Sequence, residues 1–117
     1  MIMTRLGMNL EEIFKKCNNY FKLTTVLGIG IQLVKIIRDF HSIGYLHRDL
    51  KPQNMCIGPE SNGSKIYLID FGVSKSYLTQ DGKHIPGPDH VGITGTLRYM
   101  SLNSHKKLTL SRRDDLN

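Results

Sequence analysis

The sequence predicts an α+β domain, on three observations. Apolar residues recur at three- and four-residue spacing over residues 26–40, the period of one helix face. Two short apolar runs, 55–57 and 66–69, flank the turn-rich stretch GPESNGSK, the pattern of a small β-hairpin. From Phe71 onward periodicity fades, and Asp81-Gly82 with Pro86-Gly87-Pro88 marks a long irregular loop.

Each element has a local reason. Residues 10–14 (LEEIF) follow Asn9, a helix-capping residue, and place Glu11 and Glu12 at the positive end of a first turn. Residues 17–20 (CNNY) form a polar break. The next helix is expected to be capped by Thr24 or Thr25, with Val26, Ile29, Leu33, Ile36, Ile37 and Phe40 inward and Gln32, Lys35, Arg38 and Asp39 outward. Gly28 and Gly30 each weaken it by about 1 kcal/mol relative to alanine, so packing must hold it. Gly44 suits the left-handed position that ends it. Pro59 and Asn62-Gly63 supply the turns of the hairpin.

The bulk properties bound the function. A chain of 117 residues, 39% hydrophobic and 22% charged, builds one modest core. Sixteen Lys and Arg against ten Asp and Glu give a formal charge of +6, which favours anionic partners. The basic residues are spread out, and no zinc-finger spacing or aromatic RNA-binding signature accompanies them, so nucleic acid is not expected as a partner. Cys17 and Cys56 lie far apart and read as reduced thiols. The start shows no charged leader followed by an apolar stretch, and residues 26–37 are too short and too interrupted to span a bilayer. A soluble intracellular protein, cytoplasmic or nuclear, is expected.

The chemistry is concentrated in HRDLKPQN, residues 47–54, which matches the pattern HRDLxxxN of the protein-kinase catalytic loop. At about one residue in twenty per fixed position, an accidental match has a probability on the order of 10⁻⁴. Asp70-Phe71-Gly72 then supplies DFG in the right order after one hairpin. Phosphoryl transfer asks a protein to position groups and neutralise charge. Asp49 can orient a substrate hydroxyl, Lys51 can place positive charge on the transferred phosphoryl, and Asn54 and Asp70 can hold metal on the nucleotide phosphates. His47 reads as a packing histidine. Arg48 reads as a tie to the segment after DFG, and Phe71 as core.

Beyond DFG the chain resembles the casein kinase I family of eukaryotic protein kinases. Thr94-Gly95-Thr96-Leu97-Arg98-Tyr99 resembles that family's GTxRY block, Ser101-Leu102-Asn103 its Ser-Ile-Asn in place of APE, and residues 111–116 its SRRDDLE. Lys83-His84-Ile85-Pro86 is similar to the family's loop, and MTRLGMNLEEIF to its hinge, with Met8 in place of the usual proline and with Thr4 and Arg5 atypical.

The resemblance implies a protein kinase-like fold, mainly the C-terminal lobe, with a hinge remnant over 1–9, helices over 10–44, the catalytic loop over 45–54, the hairpin over 55–69, the activation segment over 70–103 and the next helical region over 104–117. It implies a serine/threonine kinase using ATP and Mg²⁺ on protein substrates with acidic or phosphorylated sites. Met3 and Leu6 would meet adenine, and Asp115 would begin a helix under the catalytic loop. Arg98 would sit in an anion pocket or pair within its own loop. Thr94 and Thr96 would hold their segment near Asp49 and Lys51, or serve as ordinary loop residues. A Gly-rich loop, a strand lysine and a helix glutamate are expected before residue 1, so the chain is expected to carry only the middle of the domain. On that expectation a second role stands open, a non-catalytic decoy that binds substrates or partners.

Overall fold

A computed structural model describes residues 5–59, 64–86 and 92–116. Met3, the hairpin tip at Asn62-Gly63 and the Gly87-Pro88 pair lie outside the described residues. The chain divides into two compact units, Met1–Ile36 with Pro52–Ile69, and Ile37–Lys51 with Asp70–Asn117.

In the first unit α1 runs Leu10–Lys16. Asn9 caps it in both directions: its Oδ1 accepts from the Glu12 N–H at 2.9 Å, and the Glu12 carboxylate accepts from the Asn9 N–H at 3.2 Å. That reciprocal box satisfies donors a helix start otherwise leaves open. Asn9→Ala is expected to cost about 1 kcal/mol, read as a lower midpoint in urea unfolding. The break after α1 is made by Asn18 and Asn19, both left-handed (φ 54 and 58), a conformation asparagine tolerates well.

Helix α2 runs Leu23–Ser42, earlier than the expected caps. Thr24 and Thr25 fall inside its first turn, because the Lys22 carbonyl already accepts from the Thr25 and Val26 N–H groups (2.9 and 3.1 Å). Ile37 is buried and Ile29, Leu33, Ile36 and Phe40 are half-buried as expected, but Val26 is 48% exposed. Gln32, expected to be a solvated polar residue, instead grips the hairpin. Its amide nitrogen donates to the Ser64 carbonyl and its oxygen accepts from the Ile66 N–H, both at 2.9 Å.

The hairpin pairs β2 (Met55–Ile57) with β3 (Ile66–Leu68), antiparallel, with Cys56 opposite Tyr67. Residues 7–9 lie along β2 through the Gly7 N–H to Ile57 carbonyl bond (2.9 Å), the Ile57 N–H to Met8 carbonyl bond (3.0 Å) and a bridge between Asn9 and Cys56. Leu10, Met55, Cys56 and Ile66 form the buried centre of this unit. Burial and the nearby Glu12 charge both push the Cys56 thiol up, so it stays protonated, as a reduced packing residue would.

In the second unit Gly44 takes φ 88 and ends the helix, as the sequence predicts. The chain then forms β1 (Tyr45–Leu46), antiparallel to β4 (Lys75–Ser76). Tyr77 anchors this pair, its N–H donating to the Gly44 carbonyl (3.0 Å) and its hydroxyl to the His41 carbonyl (2.7 Å). Further on, a 3₁₀ turn at Leu97–Tyr99 precedes α3 (Leu102–His105), and a second 3₁₀ turn covers Arg112–Leu116. Leu46, His47 and Tyr77 are buried here. No helix among the described residues is long and apolar enough to cross a membrane.

Candidate active site

The loop after β1 is held from below by one carboxylate. Asp115, itself buried, accepts from the His47 N–H (2.8 Å) and the Arg48 N–H (2.9 Å), and its Oδ2 lies 2.8 Å from His41 Nε2. Those bonds hold Arg48 at φ 70, a left-handed conformation that a long side chain adopts only under tertiary constraint. Arg48 Nε donates to the Val73 carbonyl at 2.6 Å, tying the loop to the segment after Asp70-Phe71-Gly72. Burial pulls the Arg48 guanidinium below its ordinary value, and the charge of Asp115 partly restores it.

His47 is 1% exposed and packs against Phe40 and Phe71, with ring centroids 6.1 and 5.4 Å away. It is the packing residue the sequence suggested. Phe71 departs from expectation. Expected in the core, it is 49% exposed, since Phe40 and His47 cover one side of its ring and leave the rest open.

Above this base, Asp49, Lys51 and Thr96 close a triangle. Asp49 Oδ1 accepts from both the backbone N–H (2.8 Å) and the hydroxyl (2.7 Å) of Thr96. Its Oδ2 accepts from Lys51 Nζ at 2.6 Å, and Lys51 also donates to the Thr96 hydroxyl at 2.8 Å. The Asp49 and Lys51 side chains are only 10% and 20% exposed, so these bonds are shielded from water and fix both side chains. Burial alone would raise the Asp49 carboxyl, but the bonds from Lys51 and Thr96 and the lysine charge outweigh it and hold the group below the usual carboxylate range.

Thr96 reaches this position because Gly95 precedes it at φ 100. A Cβ on Gly95 would stand 2.5 Å from the Arg48 carbonyl oxygen. In the sequence Gly95 stands out only as part of the block 94–99, with no role of its own. Its signal was the glycine between two threonines, the kind of position where two backbones pass closely.

The remaining candidates are placed as follows. Asp70 is exposed and left-handed (φ 64), with Oδ1 accepting one long bond from the Gly72 N–H at 3.3 Å. Asn54 is buried at the end of the 3₁₀ turn Pro52–Asn54, and its carbonyl accepts from the Ile69 N–H at 2.9 Å. It belongs to the first unit and Asp70 to the second. Leu6 is half-buried next to the Gly7 bond to β2. Arg98 is exposed, its guanidinium 5.8 Å from the Tyr99 ring centre, and among the described residues it forms no ion pair. The Thr94 carbonyl meets the Ser104 hydroxyl at 3.5 Å.

A second carboxylate, Asp114, was also missed as an organiser. It accepts from Ser101 Oγ (2.8 Å), Asn103 Nδ2 (2.9 Å) and the Ser111 N–H (2.7 Å), which joins the start of α3 to the last 3₁₀ turn. Burial works against its ionisation, yet those bonds and the neighbouring Arg113 charge keep it below its ordinary value. A cavity of about 30 Å³ lies between Arg48, Leu50, Thr94, Tyr99 and Asp114. That is room for a water or two and far too little for an organic substrate.

What the triangle can do follows from its charges. A fixed carboxylate beside a fixed ammonium can accept a proton-bearing donor on one side and meet an anion on the other. Residues 1–108 match the family model described as protein kinase domain.

Proposed function

This chain belongs to the protein kinase family, and from that premise we propose that it is a serine/threonine kinase of casein kinase I type. On this reading it transfers the γ-phosphoryl of ATP, with Mg²⁺, to serine or threonine in acidic or already phosphorylated protein segments. The observation that carries it is the triangle of Asp49, Lys51 and Thr96 within the HRDLKPQN loop.

Asp49 orients the acceptor hydroxyl and receives its proton. A carboxyl held low is a weak base, so proton transfer comes late, after the hydroxyl oxygen has begun to bond phosphorus. Lys51, already fixed beside it, presents charge to the transferring phosphoryl oxygens without having to reorganise. Thr96 sets the angle of both.

The donor set suits Mg²⁺. Among the described residues no three His, Cys, Asp or Glu side chains gather into a metal cage. Mg²⁺ is commonly held by one or two protein oxygens plus substrate phosphates rather than by such a cage. By motif, Asp70 and Asn54 are those oxygens, and the weakly engaged, exposed Asp70 carboxylate supports the assignment. When bound, the ion neutralises phosphate charge. By the same resemblance Met3 and Leu6 meet adenine, and Arg98, which forms no ion pair among the described residues, meets the acidic or phosphorylated flank of the substrate.

Asp49→Asn in the native polypeptide is the test. Transfer of labelled γ-phosphoryl to an acidic serine peptide is expected to fall about 10²- to 10⁴-fold. Turnover equal to that of the unmodified protein would overturn the assignment.

A further inference from the structure

Over residues 92–116 the charges are sorted by burial. The acids of this stretch are Asp114 and Asp115, whose side chains are each 4% exposed and engaged in bonds to the protein's own groups. Its lysines and arginines are all exposed. Among the described residues Lys106, Lys107 and Arg112 form no ion pair, and Arg113, 72% exposed, comes only within 3.9 Å of Asp114. The surface of this segment therefore shows one sign of charge.

The cations also share a frame. Asp114 clasps Ser101 and Asn103 on one side and Ser111 on the other, and the Leu108 N–H donates to the Asn103 carbonyl at 2.9 Å. Lys106-Lys107 and Arg112-Arg113 are carried on that braced piece. Lys107 precedes Arg112 by five positions, so their Cα atoms lie within about 18 Å. Lys107 is left-handed (φ 58), where glycine would be unstrained, so its charge is carried at a conformational cost. Leu102, 63% exposed, adds an apolar contact on the short helix that Lys106 ends, its carbonyl accepting from the Lys106 N–H at 3.0 Å.

We propose that Lys106, Lys107, Arg112 and Arg113, with Leu102 beside them, form a docking surface for an acidic polypeptide segment whose carboxylates are spread over about six residues. The surface contains none of the residues assigned to phosphoryl transfer, so the inference stands apart from that reading. A peptide fits better than the other anionic polymers. Nucleic-acid surfaces of this kind add exposed aromatic stacking platforms, whereas here Tyr99 is half-buried with the Arg98 guanidinium against its ring, and Tyr77, 5.6 Å from the Arg112 guanidinium, is buried. Helix α3 has four residues, too few to lay an amphipathic face in a lipid surface.

The test is fluorescence anisotropy of the native polypeptide, without nucleotide, against a labelled peptide of alternating Glu and Leu. A peptide with Gln in place of Glu is the control. The Glu peptide should bind, the Gln peptide should not, and added salt should weaken binding because the cations are exposed. The double variant K106Q/K107G removes two charges and relieves the strained position. It should keep or raise the thermal midpoint while weakening the Glu peptide at least tenfold. Should the double variant melt earlier, Lys106→Gln and Arg113→Gln, both on exposed side chains, read the same affinity. Unchanged affinity in the charge variants, or no binding by the unmodified protein, overturns the proposal. So does tighter binding of phosphatidylserine vesicles or of a single-stranded oligonucleotide than of the peptide.

Discussion

Asp115→Ala will unfold the site before it removes any group proposed to touch substrate. The change leaves the N–H groups of His47 and Arg48 and the ring nitrogen of His41 without the carboxylate they share. Each buried polar group so abandoned costs about 1–3 kcal/mol, and the three act together. A total of about 3–9 kcal/mol is a large part of the 5–15 kcal/mol that holds a typical domain. Urea unfolding followed by circular dichroism should show that loss. Asp115→Asn should fall between, since an amide keeps one acceptor but turns a donor toward other donors. A loss under about 1 kcal/mol for the alanine variant would mean that water replaces the carboxylate, and the anchoring role would fail.

Gly95→Ala should damage transfer more than stability. The added methyl would lie 2.5 Å from the Arg48 carbonyl oxygen and 3.6 Å from Asp49 Oδ1, at a φ of 100 that side-chain-bearing residues rarely adopt. The strand of chain bearing Thr96 must retreat, and Thr96 then loses its two bonds to Asp49. Misplacement of about 1 Å can cost about 10²-fold in rate, whereas one strained residue costs about 1–3 kcal/mol. Gly82 provides the control: it is also left-handed (φ 77), but nothing lies within 4 Å of where its Cβ would be. Gly82→Ala therefore reports backbone strain alone. Equal effects of the two substitutions on phosphoryl transfer would show that the close approach of Gly95 does not position the site.

These two positions mark the limits of reading from sequence. Asn9 was legible as a cap and Glu12 as a first-turn acid, though not as the partner that caps in return, and the hairpin was legible because its turn residues sit between two apolar runs. Asp49, Lys51, Asn54 and Asp70 were legible as a motif. The start of α2 was misjudged because a threonine in the first turn looks the same in sequence as one at the cap. Gln32 was misread because its partners, Ser64 and Ile66, are 32 and 34 positions away. The pairing of β1 with β4 left no pattern, since two residues per strand are too few to show alternation. Phe71 looked like core by residue type, and type does not say how many sides of a ring are covered.

The dependence of the loop on Asp115 also has a consequence for synthesis. Arg48 and Asp115 are 67 positions apart, so the anchor is translated long after the loop it holds. At about 5–20 residues per second the ribosome needs roughly 3–13 s to cover that distance. During that interval a nascent chain displays HRDLKPQN without the carboxylate that holds Arg48 left-handed. The loop is thus among the last parts to order, and the growing chain carries no assembled site until residue 115 has emerged.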